Sequence, residues 1–428
     1  MNNQHRRRIL ILNRWPRFPN TERWDNELAD YGSLIDHREN EVVYVCDRKG
    51  TNGILVDGIP PSHLRIFEDF HDDAALVAEV RSASAEYGAF DMVIAFSEHL
   101  LESAAVIREA LGIPGPLPEE VARCRDKTLM KSIVSTCGLR VPRWIRVTPG
   151  NTAASLAQEL GLPIIVKPVR GASSKGVVKA DTMQALEQIL QRVVNERQPI
   201  EVEEFIDAPI MHADGVIDAQ GQLVFLSVAR YISTCLDFES GTPLGSILQT
   251  DPDLLARVRT FAERCLLALG LRSSAFHLEF FETAGEFTFL EIGARVPGAD
   301  VSYVVQEVRG YNLFRGWVEA MLERPQSQAM RKPTSSGGWL MVPRPRPLPC
   351  RVIAATSMRR TVPSVYRELI PAPGDWLEDS EGYANLQGGR FLFRAATPQA
   401  VEDAMRNVLE GYQLTVSHGM NSQDRRTA

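Results

Sequence analysis

The chain has 428 residues, of which 44% are hydrophobic and 24% charged, and its formal net charge is −7. These values are ordinary for a globular protein of about two to four domains and exclude a chain that is mainly disordered. The negative charge argues against nucleic acid and membrane surfaces as partners, since both select proteins with a basic face.

The six cysteines are scattered and form no C-x-x-C pair, which argues against a zinc ribbon or a thioredoxin motif. This pattern predicts reduced, mostly buried cysteines in a cytoplasmic protein. Residues 6–12 superficially resemble a signal peptide, but their apolar run is shorter than the about 7–15 residues of a secretory hydrophobic region. No apolar stretch approaches the about 18 residues of a membrane span.

The first part of the chain alternates short apolar runs with apolar residues at helical spacing. Such runs are typical of buried parallel strands, so the alternation predicts a doubly wound α/β domain. We place this domain at residues 1–115, because the glycines and prolines of 112–116 indicate a linker. The predicted strands are 9–12, 42–46 and 92–96, and the predicted helices are 73–87 and 98–111.

The next helix is predicted to begin after Asp126, a residue type that caps helix amino ends, and to end at Gly138. Leu129, Ile133 and Cys137 follow helical spacing within it. We therefore expect these three side chains to form its buried face.

Strand and helix patterns then alternate over residues 116–332, where we expect one domain of two α+β subdomains that divide near residue 200. The predicted strands are 144–147, 162–168, 177–179, 200–206, 211–217, 223–231, 275–282 and 287–292, and the predicted helices are 153–160, 183–194 and 254–269. Residues 333–428 start with a proline-rich stretch and carry a helical pattern at 398–410. They predict a small C-terminal α+β domain with a disordered tail at 421–428.

The last two strands before residue 293 form a predicted hairpin that carries two glutamates. A turn centred on Gly285 would place Glu279 opposite Glu291 on one face, with Cβ atoms about 5 Å apart. Two carboxylates at that distance repel by roughly 3 kcal/mol at an effective dielectric constant of about 20, so they need a cation or a shared proton. Carboxylates with open positions suit Mg²⁺ that is shared with phosphates. Two exposed glutamates on a solvated face would give the same pattern.

The same register predicts which other side chains share each face of the hairpin. The opposite, core face would hold Leu278, Phe280, Leu290 and Ile292. Phe281 and Phe289 would share the face of the two glutamates, which makes a fully solvated face less ordinary.

Two lysines and a small-residue loop form a second group of candidates. Lys127 opens a predicted helix, and Lys167 ends an apolar strand, where a lysine must bind an anion or extend to solvent. The loop of residues 171–176 offers backbone N–H donors for phosphate at Ser173, Ser174 and Gly176. The loop matches neither a Walker A motif nor a dinucleotide fingerprint, and a plain β-turn would have a similar composition.

Glu203, Glu204, Phe205 and Ile206 end another predicted strand. Their main chain could contact the edge of an adenine ring, with an apolar side chain packed beside it. An edge strand with solvated acids would show the same pattern.

The histidines do not form a recognisable catalytic motif, and neither H-E-x-x-H nor G-x-S-x-G occurs. His277 fits a buried, hydrogen-bonded histidine better than a ligand. His212 and Asp214 alternate on one strand face, and a role near the phosphates is open for them. We include His212 and Arg230 among the candidate nucleotide-binding residues.

Taken in chain order, these motifs resemble the ATP-grasp superfamily over about residues 118–330. The order is Asp126-Lys127, Lys167-Pro168, the loop 171–176, the segment 203–206 and the Glu279/Glu291 hairpin. Within the superfamily the chain resembles the bacterial L-amino-acid ligases that form dipeptides and related amides. Residues 96–98, 112–115 and 291–295 extend this resemblance beyond the core motifs, and the C-terminal region resembles theirs more loosely.

The resemblance implies functions for individual residues. Lys127 and Lys167 would contact ATP phosphates, and the segment 203–206 would contact adenine. Glu279 and Glu291 would bind two Mg²⁺ ions, with Mn²⁺ as a substitute.

The sequence departs from the family pattern at two positions. Many ATP-grasp enzymes have Asn where this chain has Gly293, so one ion would lack a side-chain ligand. Pro209 and Ile210 occupy the usual place of an acidic ribose ligand, which leaves Asp207 or a water for that contact.

The resemblance also implies that Arg295 binds the substrate carboxylate and the oxyanion of the reaction. A guanidinium holds a carboxylate with two hydrogen bonds and keeps its charge, so it suits a site where negative charge grows. An exposed ion pair of Arg295 with Asp300 or Glu307 is the alternative.

The expected activity is ATP-dependent ligation of a small carboxylate, such as an amino acid, to an amine, through an acyl phosphate, with ADP and phosphate released. The alternatives are an ATP-grasp ligase with a nucleophile that is not an amino acid, and a nucleotide-binding regulatory module without turnover. The expected partners are small-molecule carboxylate and amine substrates. A homodimer is an open option, since two-fold dimers are the commonest closed assembly.

Overall fold

A computed structural model of the chain describes residues 6–16, 26–54, 63–171, 175–195, 198–378 and 387–418. Within these ranges the strands are β1 Arg8–Asn13, β2 Glu41–Cys46, β3 His63–Ile66, β4 Met92–Ala95, β5 Trp144–Arg146, β6 Ile164–Pro168, β7 Val178–Ala180, β8 Ile200–Glu204, β9 Ile210–Ile217, β10 Leu223–Tyr231, β11 Leu244–Leu248, β12 Ser274–Thr283, β13 Glu286–Gly293, β14 Ser336–Pro343, β15 Cys350–Ala355, β16 Val365–Leu369, β17 Trp376–Leu377, β18 Gln387–Ala395 and β19 Leu414–Ser417.

The α-helices within the same ranges are α1 Tyr31–Leu34, α2 Asp73–Tyr87, α3 Leu101–Leu111, α4 Pro118–Ala122, α5 Lys127–Thr136, α6 Ala153–Leu160, α7 Met183–Asn195, α8 Cys235–Glu239, α9 Pro252–Leu269, α10 Val301–Arg309, α11 Leu313–Met321 and α12 Pro398–Gly411. Short 3₁₀ turns occur at Gly50–Ile54 and Glu98–Leu100. The predicted tail at 421–428 lies outside the described residues.

The N-terminal sheet is parallel and has the strand order β3-β2-β1-β4, which confirms the predicted parallel α/β arrangement. One face packs on α2 and α3 around Leu10 and Leu76. The other face packs on Tyr31 of α1 and Trp317 of α11. Helix α11 comes from much later in the chain, so part of this core lies outside the predicted 1–115 domain.

A second, antiparallel sheet has the order β5-β8-β6-β7 and packs on α6 and α7. Strand β8, which carries Glu203 and Glu204, is an inner strand of this sheet. The alternative that described it as a solvated edge strand is therefore wrong.

The largest sheet is antiparallel, with the order β13-β12-β9-β10-β11-β14-β18-β16. Helices α5 and α9 pack on one face around Val134, Phe261 and Phe280, while α10 and α11 pack on the other. The sheet combines strands from both sides of residue 332, and the remaining strands form a small sheet in the order β17-β15-β19. The division into three domains stays a prediction.

Helix α5 begins as predicted but buries a different face. Asp126 caps it by accepting hydrogen bonds from the backbone N–H groups of Thr128 and Leu129. The expectation that Leu129, Ile133 and Cys137 form the buried face is wrong, because Leu129 and Cys137 are exposed and Ile133 is half-buried. The core side chains are instead Met130 and Val134, since α5 packs against α9 and β13.

No helix in the described ranges combines the length and apolar character that a membrane crossing requires. The cysteines whose side chains are described form no disulfide; they are Cys46, Cys124, Cys137, Cys265 and Cys350.

Candidate active site

A cavity of about 350 Å³ lies between the second sheet and the β12–β13 hairpin. It brings together eight of the predicted site residues, which are Lys127, Lys167, Glu203, Glu204, Phe205, Ile206, Glu279 and Glu291. Apolar walls from both sheets, including Ile165, Ile210 and Leu290, complete its lining. The cavity therefore combines an apolar part with a cluster of charged groups.

The hairpin places Glu279 opposite Glu291, as the sequence predicts. A β-bulge follows directly, because Phe280 lies opposite Phe289 and Leu290 is the extra residue. Phe289 is consequently buried in the core, while Leu290 lines the cavity. The predicted places of these two side chains are wrong, since a bulge reverses the side-chain alternation beyond it.

The Glu279 carboxylate, which lies opposite Glu291, is held by hydrogen-bonding side chains of the protein. The Tyr231 hydroxyl donates to Glu279 Oε1 at 2.9 Å, and His277 Nε2 lies 3.3 Å from the same oxygen. Behind His277, the Nδ1 atoms of His277 and His212 each lie 2.6 Å from a different oxygen of Asp214. Burial lowers the pKa of His277, but Asp214 and Glu279 together raise it by more, to about 10, so this imidazole presents a positive charge to Glu279.

His212, Asp214 and His277 also have ligand-type atoms within 4.8 Å of one another. Both Asp214 oxygens are engaged by imidazole nitrogens, and His212 is fully buried. This arrangement is a buried hydrogen-bonded support for Glu279. It confirms that His277 is a hydrogen-bonded histidine, and His212 does not line the cavity.

The Glu291 carboxylate is paired with Lys127, whose Nζ lies 3.2 Å from Oε2. Burial raises the pKa of Glu291, but Lys127 and Lys167 lower it by more, so the group is held well below its ordinary value. The expectation that only a cation or a shared proton would stabilise the glutamate pair is therefore incomplete. Lysine, tyrosine and histidine groups of the protein offset much of the repulsion.

Lys127 is the first residue of α5, and two further contacts fix it. Its backbone N–H donates to the Val169 carbonyl at 3.0 Å, and its Nζ donates to the Gly171 carbonyl at 3.1 Å. The start of the helix is thereby tied to the end of β6. Its ammonium group lies between the loop at residue 171 and the glutamate pair.

Lys167 is 4% exposed and does not extend to solvent. Its Nζ donates to Glu203 Oε1 at 2.6 Å and lies 3.7 Å from Glu201 Oε1. Burial lowers the pKa of Lys167, but the two glutamates raise it by more, so the ammonium stays charged. The sequence analysis considered a bound anion or an extended side chain for Lys167. It did not consider a buried glutamate as the partner of its ammonium group.

The segment after β8 forms the wall opposite the hairpin. Glu204 is held by Arg143, whose Nε donates to Glu204 Oε2 at 2.8 Å. The Lys179 ammonium lies 4.2 Å from the centre of the Phe205 ring, and Asp207 also lines the cavity. This wall offers main-chain groups beside an aromatic and an aliphatic side chain.

The remaining predicted site residues lie elsewhere. Arg230 faces away from the cavity and forms an ion pair with Glu402 at 2.8 Å. Ser173 and Ser174 lie outside the described residues. Gly176 follows Lys175 with a φ of +75°, a backbone conformation that favours glycine.

Arg295 does not line the cavity, and its Nε donates to Glu98 Oε2 at 2.6 Å. Glu98 also forms an ion pair with Arg125. The alternative partners considered from sequence, Asp300 and Glu307, pair with other arginines, so that alternative is wrong.

The side chain of Arg295 folds back over Gly293. A Cβ at position 293 would lie 3.4 Å from Arg295 Cγ and 3.6 Å from Arg295 Nε. These are ordinary van der Waals distances, so the arginine side chain packs directly on the glycine. Because Gly293 lies opposite His277, Arg295 reaches over the hairpin face that carries the glutamates.

The donor set of the cavity fits a divalent cation that is shared with a polyphosphate. Glu279 and Glu291 retain 16% and 34% of their side-chain exposure, which leaves carboxylate surface accessible from the cavity. Carboxylate oxygens with open positions suit Mg²⁺, and the neighbouring lysines suit phosphate oxygens.

Comparisons with known proteins agree with this geometry. The family description of the D-Ala–D-Ala ligase C-terminus matches residues 133–307. An L-arginine-specific L-amino acid ligase of Bacillus subtilis is 21% identical over 374 residues, which cover 84% of this chain and 88% of that protein. A D-alanine–D-alanine ligase of Desulforudis audaxviator is 30% identical over 251 residues, 55% of this chain and 81% of that protein.

The fold also matches a solved structure over nearly the whole chain. The crystal structure of an L-amino acid ligase from Bacillus licheniformis superposes with a TM-score of 0.72 at 21% identity. The match covers 96% of this chain and 99% of that one.

Proposed function

We propose a specific ligation for this chain, which belongs to the ATP-grasp superfamily of carbon–nitrogen ligases. In this proposal, it joins a small carboxylate, most simply an amino acid, to an amine. The proposed reaction consumes ATP, passes through an acyl phosphate, and releases ADP and inorganic phosphate. The observation that carries the proposal is the convergence of Lys127, Lys167, Glu279 and Glu291 on one cavity.

Within this proposal, each wall of the cavity has a separate task. The segment 203–206 contacts the adenine ring. Asp207, which lines the same cavity, contacts the ribose. Lys127 and Lys167 bind phosphate oxygens, where an ammonium group acts as a compact point charge. Glu279 and Glu291 hold Mg²⁺, two ions in our proposal, which supplies charge neutralisation for the phosphates.

The chemistry requires two bond exchanges. An oxygen of the substrate carboxylate attacks the γ-phosphorus of ATP, and the bond from that phosphorus to ADP breaks. A neutral amine then attacks the acyl carbon, the carbon–oxygen bond to phosphate breaks, and the amine nitrogen loses a proton as the amide forms. Positioning and charge neutralisation dominate such transfers, which suits a cavity built around cationic side chains.

Arg295 is the proposed ligand of the substrate carboxylate and of the oxyanion that forms on the acyl carbon. Its support is its place over Gly293, on the hairpin face that carries Glu279 and Glu291. In this proposal Glu98 holds the guanidinium in that orientation through the 2.6 Å hydrogen bond.

An acyl phosphate hydrolyses easily, so water must be excluded while it exists. The loop 171–176 and the segment 234–245 are the candidate covers. Gly171, Lys175, Thr234, Leu236 and Asp237 line the cavity from these two segments.

The proposal is tested by the products. We expect ADP and orthophosphate, in equal amounts and only when a carboxylate and an amine are both supplied, in a screen of amino-acid pairs. Hydroxylamine should replace the amine and give an acyl hydroxamate. Stoichiometric pyrophosphate would contradict the mechanism, and nucleotide binding without turnover on any pair would favour a regulatory module.

A further inference from the structure

Lys131 is a charged residue that is completely buried. It lies one helical turn after Lys127 on α5, and its side chain is 0% exposed. Its Nζ donates to Glu201 Oε1 at 2.8 Å and to Glu203 Oε2 at 2.7 Å. A buried ammonium is costly unless such partners compensate the loss of water, so this placement needs a reason beyond filling space.

The same two glutamates hold Lys167. Glu203 bridges the two lysines, with Oε2 on Lys131 and Oε1 on Lys167. Glu201 Oε1 lies near both ammonium groups, while its Oε2 is buried and has no hydrogen-bond partner among the described residues. The four side chains thus form a closed cluster of two positive and two negative charges.

Only one side of this cluster reaches the cavity. Lys167 and Glu203 line it, whereas Lys131 and Glu201 do not. Lys131 therefore has no direct access to a ligand in the cavity. Any effect of Lys131 on a ligand must act through Glu203, Glu201 and Lys167.

We infer that Lys131 is a positioning residue for Lys167, which neutralises the buried glutamates so that the ammonium of Lys167 remains available to a polyphosphate at the cavity wall. Without Lys131, the carboxylates of Glu201 and Glu203 share the ammonium group of Lys167. Lys167 is then drawn toward both of them, and the cavity gains a net negative charge that repels phosphate. This inference rests on the proposed binding of ATP to Lys167.

The pKa shifts agree with this division of charge. Burial raises the pKa of Glu203, but Lys167 and Lys131 lower it by more, so it stays ionised between them. The pKa of Glu201 is raised, chiefly by burial. Glu201 is thus the member of the cluster with the weakest compensation, and it is the position where a neutral side chain should restore balance.

Three variants test the inference by calorimetric titration with Mg²⁺-ATP. Lys131→Met keeps most of the side-chain length but removes the charge, and we expect ATP affinity to fall by roughly tenfold or more, as for losing one charged hydrogen bond. Lys131→Met combined with Glu201→Gln restores neutrality and should recover most of the affinity. Glu201→Gln alone leaves an excess positive charge and should bind ATP more tightly than wild type.

A matched control separates positioning from general loosening of the helix. Val134→Ala removes two methyl groups from a fully buried side chain of the same helix without changing any charge. It should lower the melting temperature and leave ATP affinity unchanged.

The inference is overturned by wild-type affinity in folded Lys131→Met, by equal affinity loss in Val134→Ala, or by no recovery in the double variant. If Lys131→Met does not fold, Glu201→Gln decides, since its excess positive charge should raise ATP affinity above the wild-type level, and unchanged or weaker ATP binding overturns the inference. Failure of the proposed ligation is distinguishable, because it is measured by turnover of the wild-type protein, whereas the inference is measured by differences in ATP affinity between wild type and the variants.

Discussion

Lys167 has two roles at the scale of single residues, since it compensates buried carboxylates and lines the cavity. A lysine that only bound phosphate or extended to solvent, the two options considered from sequence, could be removed without loss of the fold. The structure changes that expectation, because Lys167→Ala leaves Glu201 and Glu203 with Lys131 as the remaining cation of the cluster. Breaking a buried pair in this way typically costs about 3–5 kcal/mol.

We therefore predict that Lys167→Ala lowers both stability and ATP affinity. Adding Glu203→Gln should restore much of the stability, since it removes one uncompensated charge, but it should not restore the affinity. Thermal unfolding and calorimetry measure the two effects separately. ATP affinity at the wild-type level in the folded variant would mean that Lys167 is only a structural partner of the glutamates.

Glu291 should be necessary for metal binding, and its charge should also contribute to stability. Glu291→Gln removes the pair with Lys127; because Lys127 and Lys167 hold the pKa of Glu291 below its ordinary value, the carboxylate stabilises the folded state near neutral pH. Loss of the repulsion from Glu279 offsets part of this cost, so we predict loss of turnover with a moderate fall in the melting temperature of the metal-free protein. The Mg²⁺-dependent rise in melting temperature should disappear, and its persistence would assign the metal elsewhere.

Arg295 should affect the chemistry and not the binding of nucleotide. Arg295→Lys keeps the charge but loses the planar fork, so turnover should fall by one or more orders of magnitude, as on losing an oxyanion donor. ATP affinity should persist, because the lysines and glutamates remain. Arg394→Lys, which alters an ion pair with Glu307 outside the lining of the cavity, is the matched control. Wild-type ligation rates in Arg295→Lys and Arg295→Ala would place the acyl site elsewhere.

At the scale of elements, helix α5 connects the two sheets that enclose the cavity. Its cap, Asp126, accepts from two backbone N–H groups and from the Thr128 hydroxyl, and it pairs with Arg146 at 3.2 Å. Burial raises the pKa of Asp126, but these hydrogen bonds and Arg146 lower it below its ordinary value. The cap therefore holds the first residue of the helix, Lys127, against the cavity.

This cap gives a prediction for the pH dependence of stability. A carboxyl group with a lowered pKa in the folded state contributes stability above its unfolded pKa, and the contribution is lost as the pH falls through the folded pKa. Asp126→Asn keeps a good capping residue but cannot titrate. We expect the stability difference between wild type and Asp126→Asn to be largest near neutral pH and to shrink below about pH 4, in the range of an ordinary Asp pKa.

Asp126→Ala should be less stable than Asp126→Asn by about 1 kcal/mol, since it loses the cap as well. Denaturant titrations at a series of pH values measure both differences. A gap between wild type and Asp126→Asn that stays constant down to pH 3 would show that the carboxylate charge plays no part.

At the scale of the whole molecule, local period correctly predicted the strands, the hairpins and the pairing of Glu279 with Glu291, but it did not predict the buried face of α5. The parallel strands, the hairpins and the Glu279–Glu291 register follow from alternation and turn positions, which are local properties of the sequence. The bulge at Leu290 was missed because no residue type near it marks an extra residue. The buried cluster of Lys131 and Glu201 was also missed, since a charged residue in a helix is normally assigned to the solvent face.

The contact of Glu98 with Arg295 could not be predicted for a different reason. The two residues are 197 positions apart, and their meeting depends on how the N-terminal sheet packs against the hairpin. Secondary-structure periodicity carries no information on that arrangement. The identity of the two substrates and the option of a homodimer depend on surfaces of the same kind, so local sequence patterns do not determine either.

The central claim is that the substrate carboxylate is activated as an acyl phosphate by ATP in this cavity. The most direct test uses a substrate pair found in the amino-acid screen, with the carboxylate oxygens of the acyl donor labelled with oxygen-18. We predict that one labelled oxygen per turnover appears in the released orthophosphate, together with unlabelled ADP and one amide product. Unlabelled orthophosphate, or label recovered in AMP, would contradict the mechanism.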